Sequence, residues 1–207
     1  MKEFDSLLDV AKTLLGPNGC FWDRKQTCES LQPYLLEEAY EVTEAIDTKN
    51  FKDLQEELGD LLYVIIFIAK VAEKEQKFTL NEVLDGVKEK LIRRHPHVFQ
   101  KEQIDTDKEL EKRWEEIKKA EKKERKSILD GIPLQLPLLL KAQKIQKKIK
   151  GKVSLEWEKT NSLEQEIWDI ITKAEEMEVE VESLFRKFLQ NIEEKVRKKE
   201  AGDDLLA

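Results

Sequence analysis

Apolar positions recur three and four residues apart along most of the chain, and that spacing predicts helices. The first is carried by Phe4, Leu7, Leu8, Ala11, Leu14 and Leu15 over residues 3 to 15, a stripe on one helical face. Gly16-Pro17-Asn18-Gly19 ends it, and Cys20 to Thr27 reads as an irregular segment with an aromatic pair beside Asp23 and Gln26. A second helix is expected to begin between Thr27 and Gln32, with Ser30 as N-cap and Pro33 in the first turn, and to run to about Ile46. After the short turn Asp47 to Asn50, a third helix capped by Asn50, with Asp53 at N3, returns antiparallel to it. Its second half, Leu61 to Ala72, is apolar at almost every position. A helix that is apolar all round must be buried on all sides, which a two-layer hairpin cannot do, so the run predicts a subunit interface.

The fourth helix opens on the capping box Thr79 to Glu82, is expected to bury Leu80, Val83, Leu84, Val87 and Leu91, and stops at His95-Pro96. A fifth, Lys108 to about Lys126, is mostly charged, with Leu110, Trp114 and Ile117 on its inner edge. From Ser127 to Leu140, Gly131, Pro133 and Pro137 mark a linker. Beyond it, Leu163, Ile167, Ile170, Ala174, Met177, Val181, Leu184 and Phe188 step alternately by four and three, a heptad-like seam that predicts one long packing helix over 162 to 198.

Composition narrows the class. With 7 Gly and 5 Pro in 207 residues, turn residues are too few for a β-sandwich or barrel. A hydrophobic share of 40% suffices for a core, so the expectation is an all-α fold. The 37 basic and 44 acidic residues leave a net charge of -7, which disfavours nucleic-acid polymers and anionic membranes. Cys20 and Cys28 fit neither a disulfide framework nor a zinc site, and the longest apolar run is far below membrane-spanning length. Met1 is followed by Lys2, Glu3 and Asp5 rather than an apolar leader, so the expectation is a soluble cytoplasmic protein.

Carboxylate spacing points to chemistry. Glu37, Glu38 and Glu41 lie on the second helix and Glu56, Glu57 and Asp60 on the third. Glu38 with Glu41, and Glu57 with Asp60, share a helical face. On antiparallel neighbours the two pairs would converge and need a cation, and oxygen-only donors favour Mg²⁺, with Mn²⁺ as a substitute. Gly59 would let the two helices approach. The alternative is a solvated acidic surface. At the end of the fourth helix, Lys90, Arg93 and Arg94 form a cationic edge. It suits phosphate, and it equally matches a helix C-terminal dipole. Together, claw and clamp describe a phosphoryl-transfer or pyrophosphohydrolase site with water as acceptor; no P-loop is present. His95 and His97 are read as packing the chain reversal, with a substrate contact as the other reading. Trp22 and Trp114 stand between base-stacking platforms and packing anchors.

These residues carry a resemblance. Glu37-Glu38-Ala39-Tyr40-Glu41, Glu56-Glu57-Leu58-Gly59-Asp60 and Lys90-Leu91-Ile92-Arg93-Arg94-His95-Pro96-His97-Val98-Phe99 resemble the MazG nucleoside triphosphate pyrophosphohydrolase family. Gly19-Cys20-Phe21-Trp22-Asp23 adds to it, with Phe21 where Pro is usual. The resemblance spans about residues 4 to 126, and the segment from Asp130 to Lys147 resembles the joint between the repeats of long family members. It implies an all-α antiparallel helical bundle, usually a homodimer whose site dimerisation completes, that hydrolyses NTPs or dNTPs to monophosphate and pyrophosphate with Mg²⁺. By matching positions, Glu38, Glu41, Glu57 and Asp60 would be metal ligands, and Lys90, Arg93, Arg94 and Trp114 would bind the nucleotide. Glu37, the acid left over, would orient or deprotonate water together with Glu38. Residues 1–126 form the expected catalytic domain and 127–150 a linker and connecting helix. Residues 151–207 lack a second EExxE or ELGD, and are expected to be a C-terminal helical extension, a degenerate second repeat kept for packing. Narrower relatives acting on dCTP, dUTP or phosphoribosyl-ATP, and a non-enzymatic helical scaffold, are the competing readings.

Overall fold

A computed structural model describes residues 2–100, 103–121, 124, 126–153 and 162–200. All regular structure among the described residues is helical. The chain divides into two compact units, Met1–Glu121 and Lys122–Ala207.

In the first unit, α1 (Lys2–Leu15) leads through a short 3-10 turn (Asp23–Lys25) to α2 (Cys28–Asp47), α3 (Phe51–Lys74), α4 (Leu80–Arg94), the single turn α5 (Pro96–Phe99) and α6 (Asp107–Glu121). The chain turns tightly after α1: a Cβ on Gly19 would lie 2.1 Å from the Leu14 carbonyl oxygen, so only glycine fits. Thr27, rather than Ser30, caps α2. Its hydroxyl accepts from Ser30 N while the Ser30 hydroxyl accepts from Thr27 N. A Ser at N3 thus completes the capping box from the far side, and Pro33 falls inside the helix instead of its first turn. Asn50 caps α3, accepting from the amides of Lys52 and Asp53 as its position foretold.

The α2–α3 hairpin is the backbone of this unit, with α1 and α4 laid against α3. Leu31, Phe67 and Val71 form its buried centre, flanked by Leu15, Cys28, Tyr63 and Ile68. Val64, Ile66, Ala69 and Ala72 are also buried, so α3 supplies most of the core. Not every side of α3 is covered, however. Leu58, Leu62 and Ile65 stay exposed, the last two at 41% and 43%. On α4 only Leu80 is buried, whereas Val83, Leu84, Val87 and Leu91, expected inside, are exposed. Among the described residues α4 has α3, α5 and α6 beside it, and these leave Val83, Leu84, Val87 and Leu91 exposed.

In the second unit, α7 (Leu138–Ile149) packs on α8 (Leu163–Glu176) and α9 (Val181–Glu200). The expected single helix is therefore two. Glu178 takes φ +58°, and Val179 N donates to Ala174 O while Glu178 N donates to Glu175 O. That is a Schellman stop, made here without glycine. Of the proposed seam, Ala174 and Val181 are buried, while Leu163, Ile167, Ile170, Met177, Leu184 and Phe188 are exposed. The core of the unit is Ile171, Ala174 and Val181 against Leu139, Ala142 and Val179. Buried Gln143 secures the turn: Nε2 donates to Val179 O at 2.6 Å, and Oε1 accepts from Val181 N at 3.0 Å. The fifth helix foreseen at 108 to 126 ends at Glu121 among the described residues, and Lys122, Lys123 and Arg125 lie outside them.

Candidate metal and polyphosphate site

The hairpin brings two helical faces into one acidic cluster. Glu38 and Glu41 sit a turn apart on α2, and Glu57 faces them from α3; each offers a carboxylate oxygen within 4.8 Å of the other two. The relation follows from the short Schellman turn at Thr48 and Lys49, which returns the chain directly against α2. Asp60 lies outside this trio, yet its charge acts on both Glu38 and Glu57. Burial pushes the Glu38 carboxyl above its ordinary range, and Glu41, Asp60 and Glu57 add to the shift. The Glu57 carboxyl is pushed up in the same way, first by loss of solvent, then by Glu41, Asp60 and Glu56. The charges that act on one or both of these carboxyls, Glu41, Glu56, Glu57 and Asp60, are all acidic. Hard oxygen donors that repel one another at this distance fit a divalent cation of the Mg²⁺ or Mn²⁺ kind.

An open cleft of about 490 Å³ extends from Glu41 and Glu57 to the turn, lined also by Glu44, Ala45, Thr48, Asn50 and Asp53. Glu44 and Asp53 were not singled out by their spacing. Glu37 is exposed and lies outside the trio. Gly59 does not serve the approach of α2 and α3: a Cβ there would meet nothing within 4 Å. It leaves α3 open on its outward side.

The cationic residues lie toward the C-terminal end of α4. Lys90 is exposed. Arg93 and Arg94 both bind the carboxylate of Glu121 on α6, with closest distances of 2.6 Å for each. The paired guanidiniums hold the Glu121 carboxyl down at about 2, Arg94 contributing most. Sequence patterning missed Glu121, because nothing local distinguishes it on a helix as charged as α6. A second cleft of about 650 Å³ opens beside it, between Arg93, Pro96 and Gln100 on one side and Arg113, Ile117 and Ala120 on the other. Trp114 is partly exposed, and the Lys118 ammonium lies 3.7 Å from its ring centroid. Trp22 meets Tyr34 edge to face at 5.8 Å, beside the exposed Phe21. His95 Nδ1 lies 2.7 Å from Leu91 O, which fits the packing role read for the chain reversal.

Comparison with known proteins decides the family. The family model described as the MazG nucleotide pyrophosphohydrolase domain matches residues 26–99, a span that contains the acidic trio, Asp60, Lys90, Arg93 and Arg94. A solved structure of a mazG-related protein from Thermotoga maritima is 35% identical, with a TM-score of 0.50, and the match covers 98% of that chain and 56% of this one. The chain belongs to the MazG family. Two curated relatives extend the likeness beyond the first unit. The nucleoside triphosphate pyrophosphohydrolase of Escherichia coli (strain K12) is 44% identical over 160 residues, covering 76% of this chain and 60% of that protein. The nucleoside triphosphate pyrophosphohydrolase/pyrophosphatase MazG of Thermotoga maritima is 41% identical over 174 residues, covering 84% and 66%. This MazG chain thus spans less than two thirds of the length of either curated relative. No helix among its described residues is long and apolar enough to cross a membrane.

Proposed function

We propose that this protein hydrolyses nucleoside triphosphates, ribo or deoxy, to the monophosphate and pyrophosphate. The observation that carries the reading is the Glu38, Glu41 and Glu57 trio, three carboxylates held within 4.8 Å by two antiparallel helices. The names of the curated relatives support it. With Asp60 one turn on, these residues would hold Mg²⁺, or Mn²⁺ in its place. When bound there, the cation would neutralise charge on the polyphosphate and polarise its phosphorus–oxygen bonds. Glu37 and Glu38 are the groups to orient a water and take its proton. The water oxygen bonds to the α-phosphorus as the bond to the bridging oxygen breaks, and pyrophosphate leaves. Lys90, Arg93 and Arg94 neutralise the negative charge that grows on the departing group. Trp114 is assigned to the nucleoside.

The same reading makes the protein a homodimer. Leu58, Leu62 and Ile65 on α3, with Val83, Leu84, Val87 and Leu91 on α4, are large apolar side chains left exposed in one chain. A second copy covers them and completes the site. Residues 1–126 are the catalytic part, 127–150 the connection and 151–207 a shortened repeat that serves packing. The free thiols Cys20 and Cys28 suit a cytoplasmic setting.

Product analysis by chromatography over a panel of NTPs and dNTPs, with and without Mg²⁺, tests the activity and separates broad from narrow substrate use. Monophosphate and pyrophosphate formed only with the cation are expected. A folded protein that releases neither from any nucleotide would sink the proposal.

A further inference from the structure

The counter-ion of the clamp has a geometry of its own. Glu121 is the last residue of α6, and its side chain is only 15% exposed. Oε1 accepts from Arg93 Nε at 2.8 Å and lies 2.6 Å from Arg93 Nη2. Oε2 accepts from Arg94 Nε at 3.1 Å and Nη2 at 2.6 Å. Consecutive helical residues point about 100° apart, yet these two guanidiniums turn the same edge to one carboxylate. A staple between helices needs one arginine; here both are gathered. A guanidinium is a rigid plane of five donors, so holding its Nε–Nη2 edge also fixes where its Nη1 edge points.

We propose that Glu121 is the positioning residue of the polyphosphate clamp: by holding the Nε–Nη2 edges of Arg93 and Arg94, it sets their Nη1 edges ready for the triphosphate. The inference rests on reading Arg93 and Arg94 as substrate-binding groups, and it gives Glu121 no contact with substrate. Two rotamer-rich side chains are ordered before the ligand arrives, so binding does not bear that entropy cost. Glu121 also ties the clamp to α6, the helix that carries Trp114. Its low pKa keeps the carboxylate ionised across the neutral range.

The test uses the full chain with Glu121→Gln and Glu121→Asp, read by steady-state kinetics on an NTP with Mg²⁺ and by calorimetric binding of inorganic tripolyphosphate. Glu121→Gln is expected to raise KM and weaken tripolyphosphate binding about tenfold, as loss of charge-assisted hydrogen bonds does, with kcat within about threefold. Its melting temperature falls at neutral pH, because the ion pair is lost, and Glu121→Asp recovers part of the affinity. Tighter or unchanged binding in Glu121→Gln would overturn the proposal, since Glu121 would then compete with phosphate or stand aside. A fall in kcat and melting temperature with binding intact would also overturn it and leave a structural staple. If the wild type turns over no nucleotide, the proposed activity fails, and tripolyphosphate binding alone decides the role of Glu121.

Discussion

Arg94 donates from both Nε and Nη2 to one carboxylate oxygen of Glu121, bridging 27 residues of sequence and joining the ends of α4 and α6. This pair has a pH signature. The Glu121 carboxyl is held at about 2, well below its reference value of 4.5. The folded state therefore holds this proton less tightly than the unfolded chain, and the stabilisation is fully present above the ordinary carboxylate range. It fades as pH falls from there toward about 2. Urea titrations of wild type and Glu121→Gln between pH 6 and pH 2 are expected to converge at the acid end. A stability difference that persists unchanged at the lowest pH contradicts the ion pair.

The acidic trio works against the metal-free fold. Glu38 and Glu57 are pushed above their ordinary range by loss of solvent and then by acidic neighbours, so their ionisation at neutral pH costs stability. Glu57→Gln is expected to melt no lower than wild type in EDTA, while hydrolysis falls about a hundredfold or more. Added Mg²⁺ should raise the wild-type melting temperature and leave that of the variant nearly unmoved. A variant that melts well below wild type in EDTA would show Glu57 to be a structural residue.

Leu31 is 2% exposed at the centre of the α2–α3 core, against Phe67 and Val71. Leu31→Ala is expected to cost about 2–5 kcal/mol, read by urea unfolding. A cost under about 1 kcal/mol would mean the site collapses around the loss or is not packed as described.

In the second unit, Glu178 holds φ +58° at the end of α8. Glu178→Gly is expected to stabilise by about 1 kcal/mol, because glycine takes the left-handed region without the steric cost other residues bear. Gln143→Leu, which removes both bonds to the same turn, should destabilise by about 1–3 kcal/mol. Opposite signs for these neighbours in chemical denaturation check the turn as described.

Much of this was legible because periodicity reports burial and capping reports starts. The bounds of α1 and α4 and the start of α3 followed from their apolar stripes and from Asn50 and Thr79. Helix ends were harder. α2, α3 and α8 each stop at a left-handed residue, and these are Lys49, Gln76 and Glu178, none a glycine. The break after Glu176 was hidden for that reason, and the alternation of fours and threes ran across it undisturbed. Exposure of Val83, Val87 and Leu91 was equally invisible, since a periodic stripe shows that a face is apolar but not whether the same chain covers it. In the site, Glu38, Glu41 and Glu57 were readable from i, i+3 spacing across one short turn. Glu121 was not, because its partners are fixed by how α6 lies on α4.

The central claim is that water attacks the α-phosphorus at the hairpin of α2 and α3. Mass spectrometry of the products formed from an NTP in heavy-oxygen water with Mg²⁺ tests it most directly. The expected result is one heavy oxygen in the nucleoside monophosphate and none in the pyrophosphate. Heavy oxygen in the pyrophosphate, or products that are a nucleoside diphosphate and phosphate, would contradict it.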